Sequence, residues 1–240
     1  RYTIDENWLI PHFEKMLYDN AQFVLLLTKY LSVEKNEYFE KKAIQTIDFI
    51  NKNFINHESK LLGSAYDADS EGEEGKYYIF SYDELKKIKN INQYYDIKPE
   101  GNWENKIILK EIKVPPERII LDLKKLRAKK IKPSFDNKIQ LDINCIWVSA
   151  LVSAEKILPN NNFLKAAETY CENLEKSFFN KEKLQHTIQK PEVFLEDYAY
   201  SIAMFLDLYD QTLKPNYLFK AKELCKKTIE LFYIKEKSIF

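Results

Sequence analysis

Three times in this chain, apolar residues return at three- and four-residue intervals along two consecutive segments that are joined by a short polar turn. The first pair runs from His12 to about Leu31, with Pro11 suited to a first helical turn, and from Glu37 to Phe54; Phe13, Met16, Leu17, Phe23, Val24 and Leu27 mark one stripe, and Ala43, Ile44, Ile47, Ile50 and Phe54 the other. The second joins Leu141–Leu158 to Phe163–Phe179 across Pro159-Asn160-Asn161-Asn162, and the third joins Leu195–Leu213 to Tyr217–Phe232 across Lys214-Pro215-Asn216. Two amphipathic helices on so short a tether bury their stripes against each other, so each pair predicts an antiparallel hairpin. Three hairpins of similar length predict a stacked or toroidal all-α array within one domain spanning residues 1–240. No sharp residue motif repeats between them.

A chain of 240 residues, 45% hydrophobic, can bury a substantial core. Its 37 basic and 37 acidic residues cancel, and Arg1, Arg118 and Arg127 are its only arginines. Balanced charge and scarce guanidinium argue against nucleic acid or an anionic membrane as partner. No apolar run reaches the roughly 18–20 residues a membrane span needs. The start at Arg1, with no leader-like stretch, predicts that the natural N-terminus lies upstream; a cytoplasmic location is the expectation. Cys145, Cys171 and Cys225 have neither zinc spacing nor a CxxC pair, and are expected as reduced, buried thiols.

The middle of the chain departs from the helical pattern. Residues 62–66 and 76–80 read as two short strands around an acidic loop bearing Asp67, Asp69, Glu71, Glu73 and Glu74, and two of the four glycines, Gly72 and Gly75, lie inside it. The loop imitates the start of an EF-hand, but position twelve is Tyr78 rather than glutamate and strands replace the flanking helices, so calcium is not expected. Ser81 with Glu84 has the form of a capping box. The basic run Lys124 to Lys130 reads as the solvated face of a helix covering Ile119, Leu121, Leu123 and Leu126.

Asp67 and Asp69 alternate with small residues, as carboxylates do at a crowded pocket edge, where they can orient hydroxyls or divide acid and base roles. A hydrated hairpin tip explains Glu73 and Glu74 equally well. His12, Lys15 and Asp19 are expected on one helix face, with Arg1, Asp5 and Glu6 just before it.

The blocks RYTIDENWLIPHFEKMLYDNAQ and SAYDADSEGEEGKYYIF, with weaker matches at Gly101-Asn102-Trp103-Glu104, Lys138 to Asn144 and Phe194 to Ala199, resemble the thioredoxin-fused six-hairpin family that includes bacterial YyaL-like proteins and spermatogenesis-associated protein 20. The resemblance implies a partial all-α (α/α)6 six-hairpin toroid with a small β-hairpin insertion at the acidic loop. It also implies a fused thioredoxin-like domain as partner, with its cysteine pair outside these 240 residues. Through the fold it implies kinship with N-acylglucosamine 2-epimerases and six-hairpin glycosidases, hence a sugar or another small molecule as ligand, with neither cofactor nor metal. Matching positions make His12, Asp67 and Asp69 the catalytic candidates, with Arg1, Asp5, Lys15, Asp19, Asn102, Asn144, Glu196 and Asp197 as substrate-binding candidates. The chain departs from the family by carrying Ile143-Asn144-Cys145 where Trp-Asn-Gly is usual, and His57 and His186 fall outside the matching motifs. The rival expectation is a non-catalytic scaffold that presents clients to the fused domain.

Overall fold

The computed structural model describes residues 2–158, 161–179, 184–188, 190, 192–237 and 239–240. The chain divides into two compact units: Arg1–Lys15 with Tyr66–Phe135, and Met16–Ala65 with Asp136–Phe240. Two-residue strands β1 (Lys15–Met16), β2 (Ala65–Tyr66) and β5 (Phe135–Asp136) lie where the chain passes from one unit to the other.

The larger unit is built from the expected hairpins: α1 (Leu17–Leu31) with α2 (Glu37–Asn53), α5 (Leu141–Ile157) with α6 (Phe163–Leu174), and α7 (Leu195–Thr212) with α8 (Pro215–Phe232). Asn36 caps α2 by accepting the Phe39 N–H at 3.1 Å, and Pro215 opens α8, where its missing N–H costs nothing. α5 packs on α1, α6 and α7 and is apolar nearly all round; Cys145, Trp147, Val148, Ala150 and Leu151 are fully buried. α6 runs on into a π-helical turn, Glu175–Phe179, which seats Phe178 in the core.

The smaller unit holds the hairpin β3 (Asp69–Ser70) and β4 (Glu73–Glu74), the short helix α3 (Tyr82–Leu85), a 3₁₀ turn at Ile91–Gln93 and α4 (Glu117–Arg127). Phe80, Leu85, Ile88, Ile91, Tyr95, Ile107, Ile119 and Leu123 form its core. The capping box at Ser81 is present, with the Glu84 carboxylate accepting the Ser81 N–H at 2.7 Å.

Three local expectations are corrected. The first helix begins at Leu17, because backbone at 11–16 is already engaged: the His12 N–H goes to the Tyr2 carbonyl, and Met16 is extended at φ −97°. His12, Lys15 and Asp19 therefore do not share a helix face. The second strand around the acidic loop does not form at 76–80. Positive φ at Gly72 and Gly75 closes the hairpin early, pairing Asp69 with Glu74, and the Gly75 carbonyl then accepts from Tyr78 and Ile79, curling the chain into turns. In the basic run, Lys130 turns inward past the end of α4, donates to the Ile79 carbonyl and lies 4.4 Å from the Phe80 ring centroid. Of the cysteines, Cys145 and Cys171 are buried and Cys225 is exposed.

Candidate functional site

In the larger unit, the segment preceding α5 and the segment preceding α7 enclose a cavity of about 600 Å³ lined by Asp136, Asn137, Lys138, Gln140, His186, Thr187, Lys190, Glu192 and Phe194. Backbone pairing fixes this arrangement. The Leu141 N–H donates to the His186 carbonyl at 2.9 Å, and the His186 N–H donates to Glu192 at 2.7 Å. The imidazole is thus held over the N-terminus of α5 while its edge meets Phe194, ring centroids 5.0 Å apart.

Beneath the imidazole stand two carboxylates. Asp197, with no solvent exposure, takes the His186 Nδ1 at 2.9 Å on one oxygen and the Phe194 N–H at 2.9 Å on the other. Both Asp197 oxygens are engaged by these two bonds, which fix the imidazole against a buried carboxyl group. Asp142 Oδ1 lies 3.8 Å from the same Nδ1, shut off from solvent and without a hydrogen-bond partner. Burial raises the Asp142 carboxyl above its ordinary range, and the Asp197 charge adds to that effect. The other ring nitrogen, Nε2, lies 2.9 Å from the Gln140 amide, whose far atom is 2.8 Å from Ser64 Oγ. Asn144 bonds both ways to the backbone of Leu62 and donates to the Gln140 carbonyl, bracing this end of α5. Asp142, His186 and Asp197 offer ligand atoms within 4.8 Å of one another, close enough for a divalent cation. The 2.9 Å His186–Asp197 separation is that of a hydrogen bond already holding a proton, and the trio is read as a carboxylate–imidazole dyad with a second carboxylate beside it.

The smaller unit uses its polar residues differently. Asp5 accepts the N–H groups of Asn7, Leu9 and Ile10, and these bonds hold its carboxyl below the usual range. Exposed Asp67 accepts the Asp69 N–H at 3.3 Å and the Ser134 hydroxyl at 3.2 Å, and Asp69 is itself exposed. Asn102 brackets the backbone of Ile108 with two bonds. Lys76 pairs with Glu73 at 2.6 Å and Glu71 at 3.5 Å, offsetting one of the loop's five negative charges from within. His12 packs on Tyr2, ring centroids 4.8 Å apart, with Nδ1 3.8 Å from Glu14. Lys15 donates to the Phe13 carbonyl at 2.6 Å and sits 3.2 Å from the Tyr78 ring centroid. Burial, with the charge of Arg127, pushes the Lys15 amine down to about 7.

Comparison with known proteins places these features. The chain is 26% identical to spermatogenesis-associated protein 20 of Rattus norvegicus over 97% of its own length and 37% of that protein. This chain is similar in sequence to spermatogenesis-associated protein 20. An uncharacterized protein of Caenorhabditis elegans is 24% identical over 94% of this chain and 39% of its own. The chain therefore spans less than two fifths of the length of these curated relatives. No family model matches it. Among solved structures, a sugar epimerase from a ruminal bacterium superposes with a TM-score of 0.61 at 10% identity, over 98% of this chain and 50% of that one. The cellobiose 2-epimerase of Spirochaeta thermophila DSM 6192 gives 0.55 at 11% identity, over 92% and 44%. Both are (α/α)6 barrels, and this chain, which covers about half of each, has part of that fold.

Of the residues expected from the sequence, Asn144 and Asp197 meet at the Gln140–His186 network, Glu196 is exposed beside Asp197, and Asp19 lies in the first turn of α1. Asp5, His12, Lys15, Asp67, Asp69 and Asn102 belong to the smaller unit, and Arg1 lies outside the described residues. His186, Gln140 and Asp142 were not among the expected residues. The one usable signal was the spacing His186–Asp197, eleven residues ending at a helix start, and nothing in the sequence says that the intervening chain folds back.

Proposed function

We propose that this chain is part of a carbohydrate-active (α/α)6 domain whose sugar-binding and proton-transfer site is the cavity at His186. The observation that carries the reading is the hydrogen bond from cavity-lining His186 to the fully buried carboxylate of Asp197. A buried carboxylate fixes tautomer and orientation, and leaves Nε2 as the atom that exchanges protons. Asp142, whose carboxyl burial raises above its ordinary range, supplies a second proton-transfer group, and Phe194 offers an apolar edge for a sugar ring. The two solved neighbours sharing the fold are sugar epimerases, which supports a sugar as ligand.

A second reading, a scaffold working with a fused thioredoxin-like domain, is favoured by one observation: Asp5 and Asn102 are engaged by their own loops and Asp67 by Ser134. A thermal-shift titration of the intact protein with mono- and disaccharides separates the readings, because a ligand bound only by the folded state raises Tm by mass action. A sugar-dependent rise that disappears in His186→Gln is expected. Incubating that sugar in D₂O then reports proton transfer as deuterium gained at carbon. No rise with any sugar in a folded protein favours the scaffold.

A further inference from the structure

The smaller unit holds a cavity of about 480 Å³ that shares no residue with the one at His186. Its size is that of a small-molecule site, and four lysines and three glutamates stand on its walls. These charges are not evenly matched. Where the acidic hairpin forms the wall, Lys76 lies 2.6 Å from Glu73 and 3.5 Å from Glu71, so that lysine is already committed. The rest of the lining, from α3, the turn at Lys106 and the segment just past α4, sets three ammonium groups, Lys106, Lys129 and Lys130, against the single carboxylate of Glu84. That carboxylate is engaged as well, since one of its oxygens accepts the Ser81 N–H at 2.7 Å and lies 3.0 Å from the Ser81 hydroxyl.

The three ammonium groups act on one another. Burial lowers the Lys130 amine; the Glu84 charge opposes that effect and the Lys106 charge adds to it, which places the two lysines within each other's field. Lys130 is half-buried, donates to the Ile79 carbonyl and has only a long second contact, 3.5 Å, with the Lys76 carbonyl. An ammonium has three N–H donors, so Lys130 keeps capacity at the cavity it lines. Lys106 and Lys129 are exposed and, among the described residues, neither forms an ion pair. Gathering like charges costs free energy that a bound anion offsets. A phosphate monoester carries about 1.5–2 negative charges at neutral pH and so answers an excess of two cations better than a carboxylate does. Lysine serves such a group as a point charge, without the fork that arginine supplies.

We propose that this cavity binds the phosphate group of a small phosphorylated molecule, held by Lys106, Lys129 and Lys130, with Ile79 and Ile131 lining the room left for the rest of the ligand. The site is independent of the His186 reading. To test it, inorganic phosphate and glycerol 3-phosphate are each titrated into the intact protein at an ionic strength fixed with sodium chloride, and Tm is followed. Phosphate also stabilises folded chains by exclusion from their surface, but that effect does not saturate and is common to all variants. Wild type is expected to show a saturable rise with both probes, roughly 3–6 °C at ten times Kd. Lys106→Gln combined with Lys129→Gln is expected to weaken binding by about fivefold or more. Lys124→Gln combined with Lys125→Gln makes the same charge change on exposed residues of α4 outside the cavity and is expected to leave Kd within about twofold. Glu84→Gln keeps the capping form while removing the opposing charge, and is expected to tighten binding by about threefold, a gain that lost folding cannot produce. The proposal is overturned by the absence of a saturable rise, by a response to inorganic phosphate that glycerol 3-phosphate does not share, by equal weakening in the two lysine pairs, or by a Kd unmoved in Glu84→Gln.

Discussion

The two units of this chain treat polar residues in opposite ways. In the smaller one, loops dominate, and loops leave backbone N–H groups that must be satisfied locally. Asp5, Asp67 and Asn102 meet that need. In the larger unit, Gln140 and Asp142 at the start of α5 and Asp197 at the start of α7 meet His186 beside a cavity.

The strongest way to break this contrast is Asp197→Ala. It leaves the Phe194 N–H and His186 without their buried partner, and a cost of about 3–5 kcal/mol is expected in urea unfolding of the intact protein. A cost below about 1 kcal/mol would mean the dyad is not a packed, desolvated unit.

Next comes a pair of glycines in the smaller unit. Gly75 and Gly72 both have positive φ, yet an added Cβ at Gly75 would lie 2.6 Å from the Phe13 ring while none at Gly72 meets an atom within 4 Å. Gly72→Ala should cost about 1 kcal/mol from backbone strain alone. Gly75→Ala should cost roughly 1–3 kcal/mol more, because the Phe13 ring must move. Equal midpoints in the two variants would show that the acidic hairpin does not pack as described.

Lys15 gives the pH test. Its folded value of about 7 lies below the ordinary 10.5, so between these pH values the unfolded chain binds more protons and stability rises with pH. Below about 7 the buried charge must be carried, and its destabilisation is fully present. Lys15→Met is therefore expected to raise Tm by a few degrees at pH 6, on the order of 1 kcal/mol or more, and to lose that advantage by about pH 10. An advantage equal at both pH values would place the effect in packing rather than charge.

The smallest effect is expected at the residue most conspicuous in the sequence. Asp67 is exposed and its bonds are long, so Asp67→Asn should move stability by no more than about 0.5 kcal/mol. Loss of a sugar-induced Tm shift in this variant would return the acidic loop to the functional site.

Periodicity alone determined the six long helices and their pairing, because a stripe of apolar residues on a tethered segment has one economical way to leave water. It also determined the capping box at Ser81, where donor and acceptor are three residues apart. Tertiary structure decided the rest. The start of α1 depended on which segments claimed the backbone before Leu17, and the acidic loop's short hairpin on two glycines adopting positive φ. The meeting of His186 with Gln140, 46 residues distant, was settled by a fold-back between two helix starts. Local contacts leave a repeating signature in a sequence; a hydrogen bond between residues brought together only by packing leaves none.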